Sequence, residues 1–187
     1  MATSLILASS SPRRKQLLEQ IGLEFSTFSP EIDESALQAE SPSQYVARLA
    51  QVKAKTVLQC FAHATIIAAD TSLDLDGQII AKPESKQHAF EIWHSLSGRA
   101  HEGLTGVCVA RGNQYLCQVV RTEVHFQTLT LADMQRYWDT GEPQDKAGAY
   151  AIQGFAAQYI RHIVGSYSNV VGLPLHETVQ LLKQIQA

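Results

Sequence analysis

The order of elements predicts an α/β protein: a mixed, twisted sheet with flanking helices around a cleft. Three observations carry that expectation. Residues 5–8 (LILA) are apolar throughout and 64–69 (ATIIAA) are apolar but for Thr65, as strands covered on both faces are. Helical periodicities alternate with these strands, which favours helices layered on a sheet. Residues 101–128 then read as a β meander, which argues against a uniformly parallel, doubly wound sheet.

The first strand is broken by Ser9, Ser10 and Ser11. Ser11-Pro12 reads as a helix start, because serine caps and proline has no N–H to lose at the first helical position. The helix is expected to run through Leu17 and Leu18 and stop near Gly22. Its first turn holds Arg13, Arg14 and Lys15, although the helix dipole favours anions there. Cations, free backbone N–H groups and three hydroxyls at one point suit a bound phosphate. The plain alternative is a capped helix whose arginines face water. No glycine run and no Gly-Lys-Ser/Thr follows the strand, so this is not a P-loop.

Residues 24–29 (EFSTFS) alternate and contain aromatics, which predicts a strand ended by Pro30. An acidic loop with Glu31, Asp33 and Glu34 follows. Ser41-Pro42 repeats the cap-then-proline start of a helix that runs to about Cys60, with Tyr45, Val46, Leu49 and Val57 at helical spacing. The second apolar strand ends in Asp70-Thr71. Residues 73–80 form a hairpin around Asp76-Gly77, and Lys82-Pro83 comes directly after it. Ser85 caps a helix through Trp93 and Leu96, closed by Gly98.

Strands are expected over 101–110, 115–123 and 124–128, and Thr130 with Asp133 has the spacing of a capping box for a short helix. Residues 142–154 (EPQDKAGAYAIQG) read as a long loop, and long loops in compact domains are often functional. Residues 155–164 return to strand, 169–174 turn, and 175–185 close the chain as an amphipathic helix. Without repeats, low-complexity tracts or a linker, residues 1–187 are expected to be a single domain.

Hydrophobic residues make up 45% of the 187 and charged residues 18%, an ordinary globular composition. A formal net charge of −3 disfavours stable nucleic-acid binding, which wants a basic face. No apolar run is long enough to span a membrane, and the start of the chain lacks the layout of a signal peptide. Cys60, Cys108 and Cys117 show no metal spacing and leave an odd one out, which fits a reducing cytoplasm. Cys108 and Cys117 would face each other across a hairpin turning at Gly112-Asn113, and are expected to be small buried thiols.

Asp70 is the sharpest single candidate. A carboxylate at the carboxyl end of an apolar strand lies where open α/β sheets place ligands. It could ligate a divalent metal or take a proton from water; the alternative is an aspartate that starts a turn. Glu34 would supply a second carboxylate, since two with phosphate oxygens hold Mg²⁺ better than one. Lys82 could act as a point charge on a phosphate. Lys55 is expected on a solvated helix face. The seven histidines show no metal spacing, and His101 is the hardest of them to place.

Together the LASSSPRR opening, Asp33-Glu34, Lys53-Ala54, Ala69-Asp70-Thr71, Lys82-Pro83, the LSGRAH run and GEPQDKAGAYAIQG resemble the Maf-like nucleoside triphosphate pyrophosphatases. The match runs through nearly the whole chain in order. It implies an α/β fold related to inosine triphosphatases, two lobes around a deep cleft, a cytoplasmic location and a homodimer. It also implies roles: Asp70 as the proton-accepting carboxylate, Ser9, Arg13, Arg14, Lys53 and Lys82 as substrate-binding residues, and Glu34 with Asp70 at a divalent metal, Mg²⁺ or Mn²⁺. Arg13, Thr71 and Gln153 match positions linked to substrate choice, and the Arg and Gln resemble the subgroup acting on dTTP and UTP. A Gln amide offers a donor and an acceptor, which suits the O4 and N3 edge of uracil and thymine. Ala151 and Glu102 depart from the family pattern, which has a glycine and an apolar residue there.

The expected reaction is hydrolysis between the α- and β-phosphates, giving a nucleoside monophosphate and pyrophosphate, with modified pyrimidine nucleotides as further substrates. Two other classes compete. The family name derives from septum inhibition, so the cleft could belong to a nucleotide-binding regulator of cell division. An RNA-binding domain is the other, and the acidic balance speaks against it.

Overall fold

The computed structural model describes residues 4–80 and 82–186; the outer ends of the expected 1–187 domain and position 81 lie outside the described residues. In chain order the elements are β1 (Leu5–Leu7), α1 (Pro12–Gln20), β2 (Ser26–Thr27), α2 (Pro42–Cys60), β3 (Thr65–Leu75) and β4 (Gln78–Ile80). Then come α3 (Lys86–Leu96), β5 (Ala100–Arg111), β6 (Gln114–Phe126), α4 (Leu131–Trp138), β7 (Ile160–Val164), α5 (Tyr167–Val171) and α6 (Leu175–Gln186). The strands form one sheet in the order β2-β1-β3-β5-β6-β7, with β4 paired to β3. β1 is parallel to β2 and β3; the remaining pairs are antiparallel. The sheet is therefore mixed, as the sequence predicts.

Two lobes share this sheet. In the first half of β3, Ile67 and Ala69 pack into a core with α1 and α6, while Ile66 and Ala68 face α2 on the other side. Farther along the same strand, Leu73 and Leu75 enter a separate core with Trp93, Phe126, Tyr137 and Tyr159. Asp70, Thr71 and Ser72 lie between. The polar step in the strand is thus the waist between the two lobes.

This corrects the expectation that the strand ends at Asp70. The segment looks like a turn because three polar residues follow a run of four apolar ones, Ile66 to Ala69. It stays extended because β5 continues the ladder beside it, with Asp70 opposite Gly106 and Thr71 opposite Thr105. The threonine hydroxyls meet at 2.9 Å, so the polar side chains have partners inside the fold.

Other boundaries move for similar reasons. The strand expected over 24–29 shortens to β2, and the two expected over 115–128 are the single strand β6. Residues Phe155–Tyr159 form a 3-10 turn rather than strand. That brings Phe155 and Tyr159 to 6.1 Å between ring centroids, both against Tyr137; an extended chain would separate them by about 13 Å. The turn expected over 169–174 begins inside α5, which Ser166 caps. The caps at Ser41, Ser85 and Thr130 are formed as read, the first and last as full capping boxes.

Cys108 and Cys117 do face each other across the β5–β6 hairpin, but as a disulfide rather than two thiols. Only Cys108 is buried. Cys117 lies on the exposed face of β6, and Cys60 is free and exposed.

Candidate active site

A cavity of about 790 Å³ opens at the waist. Every residue the sequence nominated lines it: Ser9, Arg13, Arg14, Glu34, Lys53, Asp70, Thr71, Lys82 and Gln153. They come from both lobes and from six separate segments of the chain.

The N-terminus of α1 forms one wall. Ser11 is its N-cap residue, yet its side chain makes no capping bond and no acid stands in the first turn. Ser9 folds back instead, its Oγ accepting from the Ser11 N–H at 3.1 Å. The first-turn N–H groups therefore remain available to an anion, as the helix dipole favours. Arg13 is half-buried here, and among the described residues no hydrogen bond or ion pair holds its guanidinium. Its charge reaches Asp145 at the cavity rim.

Arg14 is different. Its Nε donates to the Gly172 carbonyl at 2.8 Å, Nη1 to Ser9 Oγ at 3.3 Å and Nη2 to Thr71 Oγ1 at 3.1 Å. It ties the first helix to β3 and to the end of α5. Burial lowers its pKa, opposed by the attraction of Asp70. Thr71 is likewise engaged, with Arg14, Thr105 and the Gly172 carbonyl around its hydroxyl. Both residues thus shape the cavity wall through protein contacts.

The opposite wall is α2. Its buried stripe runs Val46, Leu49, Ala50, Lys53, Ala54 and Val57, so Lys53 occupies a core position. Its Nζ donates to Asp70 Oδ1 at 2.6 Å and lies 2.7 Å from Glu34 Oε1. The helix lies close to the sheet because β5 has Gly106 opposite Asp70: a Cβ there would sit 2.2 Å from the Val46 carbonyl oxygen. Burial pushes Glu34 upward, but the Lys53 hydrogen bond and the charges of Lys53, Lys82 and Arg14 outweigh it, so the carboxyl is held below its usual range. Lys82 itself is exposed at the rim.

Several contributors carried no signal in the sequence reading. Tyr45 lines the cavity, and its hydroxyl donates to the Glu34 carbonyl at 2.9 Å, fixing the acidic loop. Burial, with Asp70 and Glu34 nearby, raises that phenol to about 12. Asn169, fully buried, donates from Nδ2 to the Gly103 carbonyl and to Thr122 Oγ1, each at 3.0 Å, and holds α5 under the site. Asp145, Lys146 and the apolar Ile79, Ile80 and Ile152 complete the lining.

The two departures from the family pattern have simple accounts. Ala151 has no positive φ, so glycine is not needed there. Glu102 pairs with Arg121 at 3.0 Å across β5 and β6. His101 is a core histidine, its Nε2 2.7 Å from the Tyr150 hydroxyl.

Fold and site together define a two-lobed α/β protein whose cleft joins a cationic helix N-terminus to a pair of carboxylates bridged by lysine. Comparison with known proteins is more specific: residues 4–185 match the family described as Maf-like protein, and the chain belongs to it. A dTTP/UTP pyrophosphatase of Acinetobacter baylyi is 62% identical over 97% of this chain and 99% of its own length. One of Symbiobacterium thermophilum is 49% identical over 96% of this chain and 93% of its own. Among solved structures, a HAM1 protein from Coxiella burnetii superposes with a TM-score of 0.55 at 13% identity, covering 97% of this chain and 99% of that one. The Staphylococcus aureus Ham1 protein gives 0.54 at 10% identity over 98% of both chains. These last two establish likeness of fold.

Proposed function

We propose that this protein is a nucleoside triphosphate pyrophosphatase that hydrolyses dTTP and UTP to the monophosphate and pyrophosphate. The observation that carries the reading is the Asp70–Lys53–Glu34 group facing the α1 N-terminus across one cavity. The relatives' names supply the substrates.

The chain's residues divide the work. Arg13, Lys82 and the free N–H groups of α1 bind the triphosphate and stabilise charge that moves onto the leaving pyrophosphate. Lys53 uses Asp70 Oδ1 and Glu34 Oε1, leaving the second oxygen of each carboxylate. Through that second oxygen Asp70 is placed to accept a proton from the attacking water or, with a metal bound, to ligate that metal. Among the described residues no group of three or more His, Cys, Asp or Glu is arranged to hold a metal. Two carboxylates nevertheless fit Mg²⁺ or Mn²⁺ that keeps phosphate oxygens and water as its other ligands. Asp70 and Glu34 would hold it, and such an ion neutralises phosphate charge and lowers the pKa of bound water. Gln153 reads the pyrimidine edge with its carboxamide, which no described residue engages.

A cytoplasmic location and a homodimer belong to the same proposal, the location resting on the family alone because the Cys108–Cys117 disulfide removes the cysteine argument for a reducing compartment. Among the described residues no helix is long and apolar enough to cross a membrane. Val164, on the terminal strand β7, and Tyr167 just beyond it are 60% and 50% exposed, which suits a subunit contact. Light scattering on the purified protein tests the dimer.

The deciding experiment is pyrophosphate release from a panel of nucleoside triphosphates with Mg²⁺ or Mn²⁺. Release from dTTP and UTP is expected, lost in Asp70→Asn while nucleotide binding persists. Binding without release by the unaltered protein would leave a nucleotide-binding regulator instead.

A further inference from the structure

Gln153 lies in a short turn whose two flanks are gripped by one pair of side chains. Tyr137, on α4, accepts from the Ala151 N–H at 3.0 Å through its hydroxyl oxygen. The same hydroxyl donates to Glu142 Oε1 at 2.6 Å. The other oxygen of that carboxylate, Oε2, accepts from the Phe155 N–H at 3.0 Å. The turn between is closed by Gly154 N–H to the Ala151 carbonyl at 3.1 Å. Gly154 is required by the grip itself, because a Cβ there would lie 1.8 Å from Glu142 Oε2.

The grip is rigid at its base. The Tyr137 ring stacks on Trp93 at 5.1 Å and on Phe155 at 5.8 Å. The Trp93 indole in turn donates to the Ala149 carbonyl at 3.0 Å. Tyr137 is buried, with one acceptor and one donor for its hydroxyl, so its position has little freedom. Neither Tyr137 nor Glu142 lines the cavity; Ala151, Ile152 and Gln153 do.

We propose that Tyr137 and Glu142 are positioning residues for base selection: they fix both flanks of the turn that presents Gln153, and so set how strictly the site prefers uracil and thymine. This rests on the proposed reading of Gln153 as the base reader. A carboxamide distinguishes uracil from cytosine only when its donor and acceptor are held in register with O4 and N3. Loosening the turn costs that register while leaving Asp70 and Lys53 in place.

The test compares kcat and KM for UTP and CTP in wild type, Tyr137→Phe, Glu142→Met, Glu142→Gln, Gln153→Ala and the Glu142→Met/Gln153→Ala double variant. Tyr137→Phe removes only a hydroxyl, so it stays informative even where Glu142→Met folds poorly. The expected result is a fall in the UTP-to-CTP preference of about tenfold in Tyr137→Phe and Glu142→Met, mostly through a higher KM for UTP. Glu142→Gln keeps one acceptor and should recover part of the preference. In the Gln153→Ala background, Glu142→Met should change the preference no further. An unchanged preference in Tyr137→Phe, or an equal loss of kcat for both nucleotides, would overturn the inference. So would a second full loss in the double variant. If wild type releases no pyrophosphate from UTP, the proposed function fails first and the inference falls with it.

Discussion

Lys53 Nζ stands 2.6 Å from Asp70 Oδ1 and 2.7 Å from Glu34 Oε1, so one ammonium joins a strand carboxylate to a loop carboxylate. The side chains of Lys53 and Asp70 are each only 10% exposed, whereas that of Glu34 is 52% exposed. The inner pair is therefore the stronger, because water screens the outer one. Lysine here keeps two acids together at the waist.

Replacing Lys53 with Met should leave Asp70 buried without a counter-charge. Removing one partner of a buried pair costs about 3–5 kcal/mol. The lower end is expected here, since Arg14 is also near Asp70. Adding Asp70→Asn should restore much of the loss, and urea denaturation of the single and double variants measures it. No recovery in the double variant would mean that the lysine acts by packing alone. Turnover should be lost in both.

Arg14→Lys tests the clasp between α1, β3 and the end of α5. A lysine cannot reproduce three donors in a planar fork. Loss of the bonds to Ser9, Thr71 and Gly172 should cost about 2 kcal/mol, at about 1 kcal/mol for a typical bond with some retained by the ammonium. Arg13→Lys should leave stability within about 0.5 kcal/mol, because no described residue bonds that guanidinium, and raise KM instead. Thermal melts and steady-state kinetics together separate the two arginines. Equal stability losses would contradict the division.

Part of this site was legible because some of its residues open a helix or follow a hairpin, with chemistry the local structure does not need; Lys53 and Asp70, which lie inside α2 and β3, are not among them. Cations in the first turn of α1 were one such surplus, and the Lys82-Pro83 step another. The sequence also marked the caps at Ser41, Ser85 and Thr130. It could not show that β3 continues through Asp70, because the partner that sustains it, β5, lies more than thirty residues away. Nor could it separate Arg14 from Arg13. Adjacent residues on a helix point about 100° apart, and only the arrival of Gly172 decides which one is clasped. The facing of Cys108 and Cys117 was read from the hairpin, but not that their sulfurs bond; the Tyr137–Glu142 grip escaped because it closes on the backbone of Ala151 and Phe155, in a separate segment.

Gly106→Ala should act on the site without touching it. The added Cβ would meet the Val46 carbonyl oxygen at 2.2 Å and the Ala47 nitrogen at 2.9 Å, both backbone atoms. The helix must shift away, since neither atom can rotate aside. Val46 lies seven residues before Lys53, two turns along the same face, so the shift carries to the lysine. Overpacking of this kind costs about 1–3 kcal/mol. A loss of turnover exceeding that of stability is expected, checked by assay at a temperature where the variant is fully folded. Wild-type turnover would show that α2 can move without disturbing Lys53.

The acid limb of stability should depend on His101. Its ring is 3% exposed, bonded to the Tyr150 hydroxyl and packed edge-on against Phe126. Burial, with a smaller effect of His125, lowers its pKa from 6.5 to about 4. The folded protein therefore holds the neutral ring while the unfolded chain takes up a proton below about pH 6.5. Stability is complete above that value and declines as pH falls toward 4, by about 2 kcal/mol at pH 5 and about 3 kcal/mol at pH 4. The carboxyls held low in the fold, Glu34 among them, add their losses only below about pH 4.5, so the window from 6.5 to 5 separates His101 from the carboxyls. Denaturant titrations across that window, on wild type and on His101→Gln, are the measurement. The glutamine keeps a polar partner for Tyr150 and cannot titrate, so its curve should be nearly flat where wild type falls. Parallel curves would move the acid sensitivity to another group.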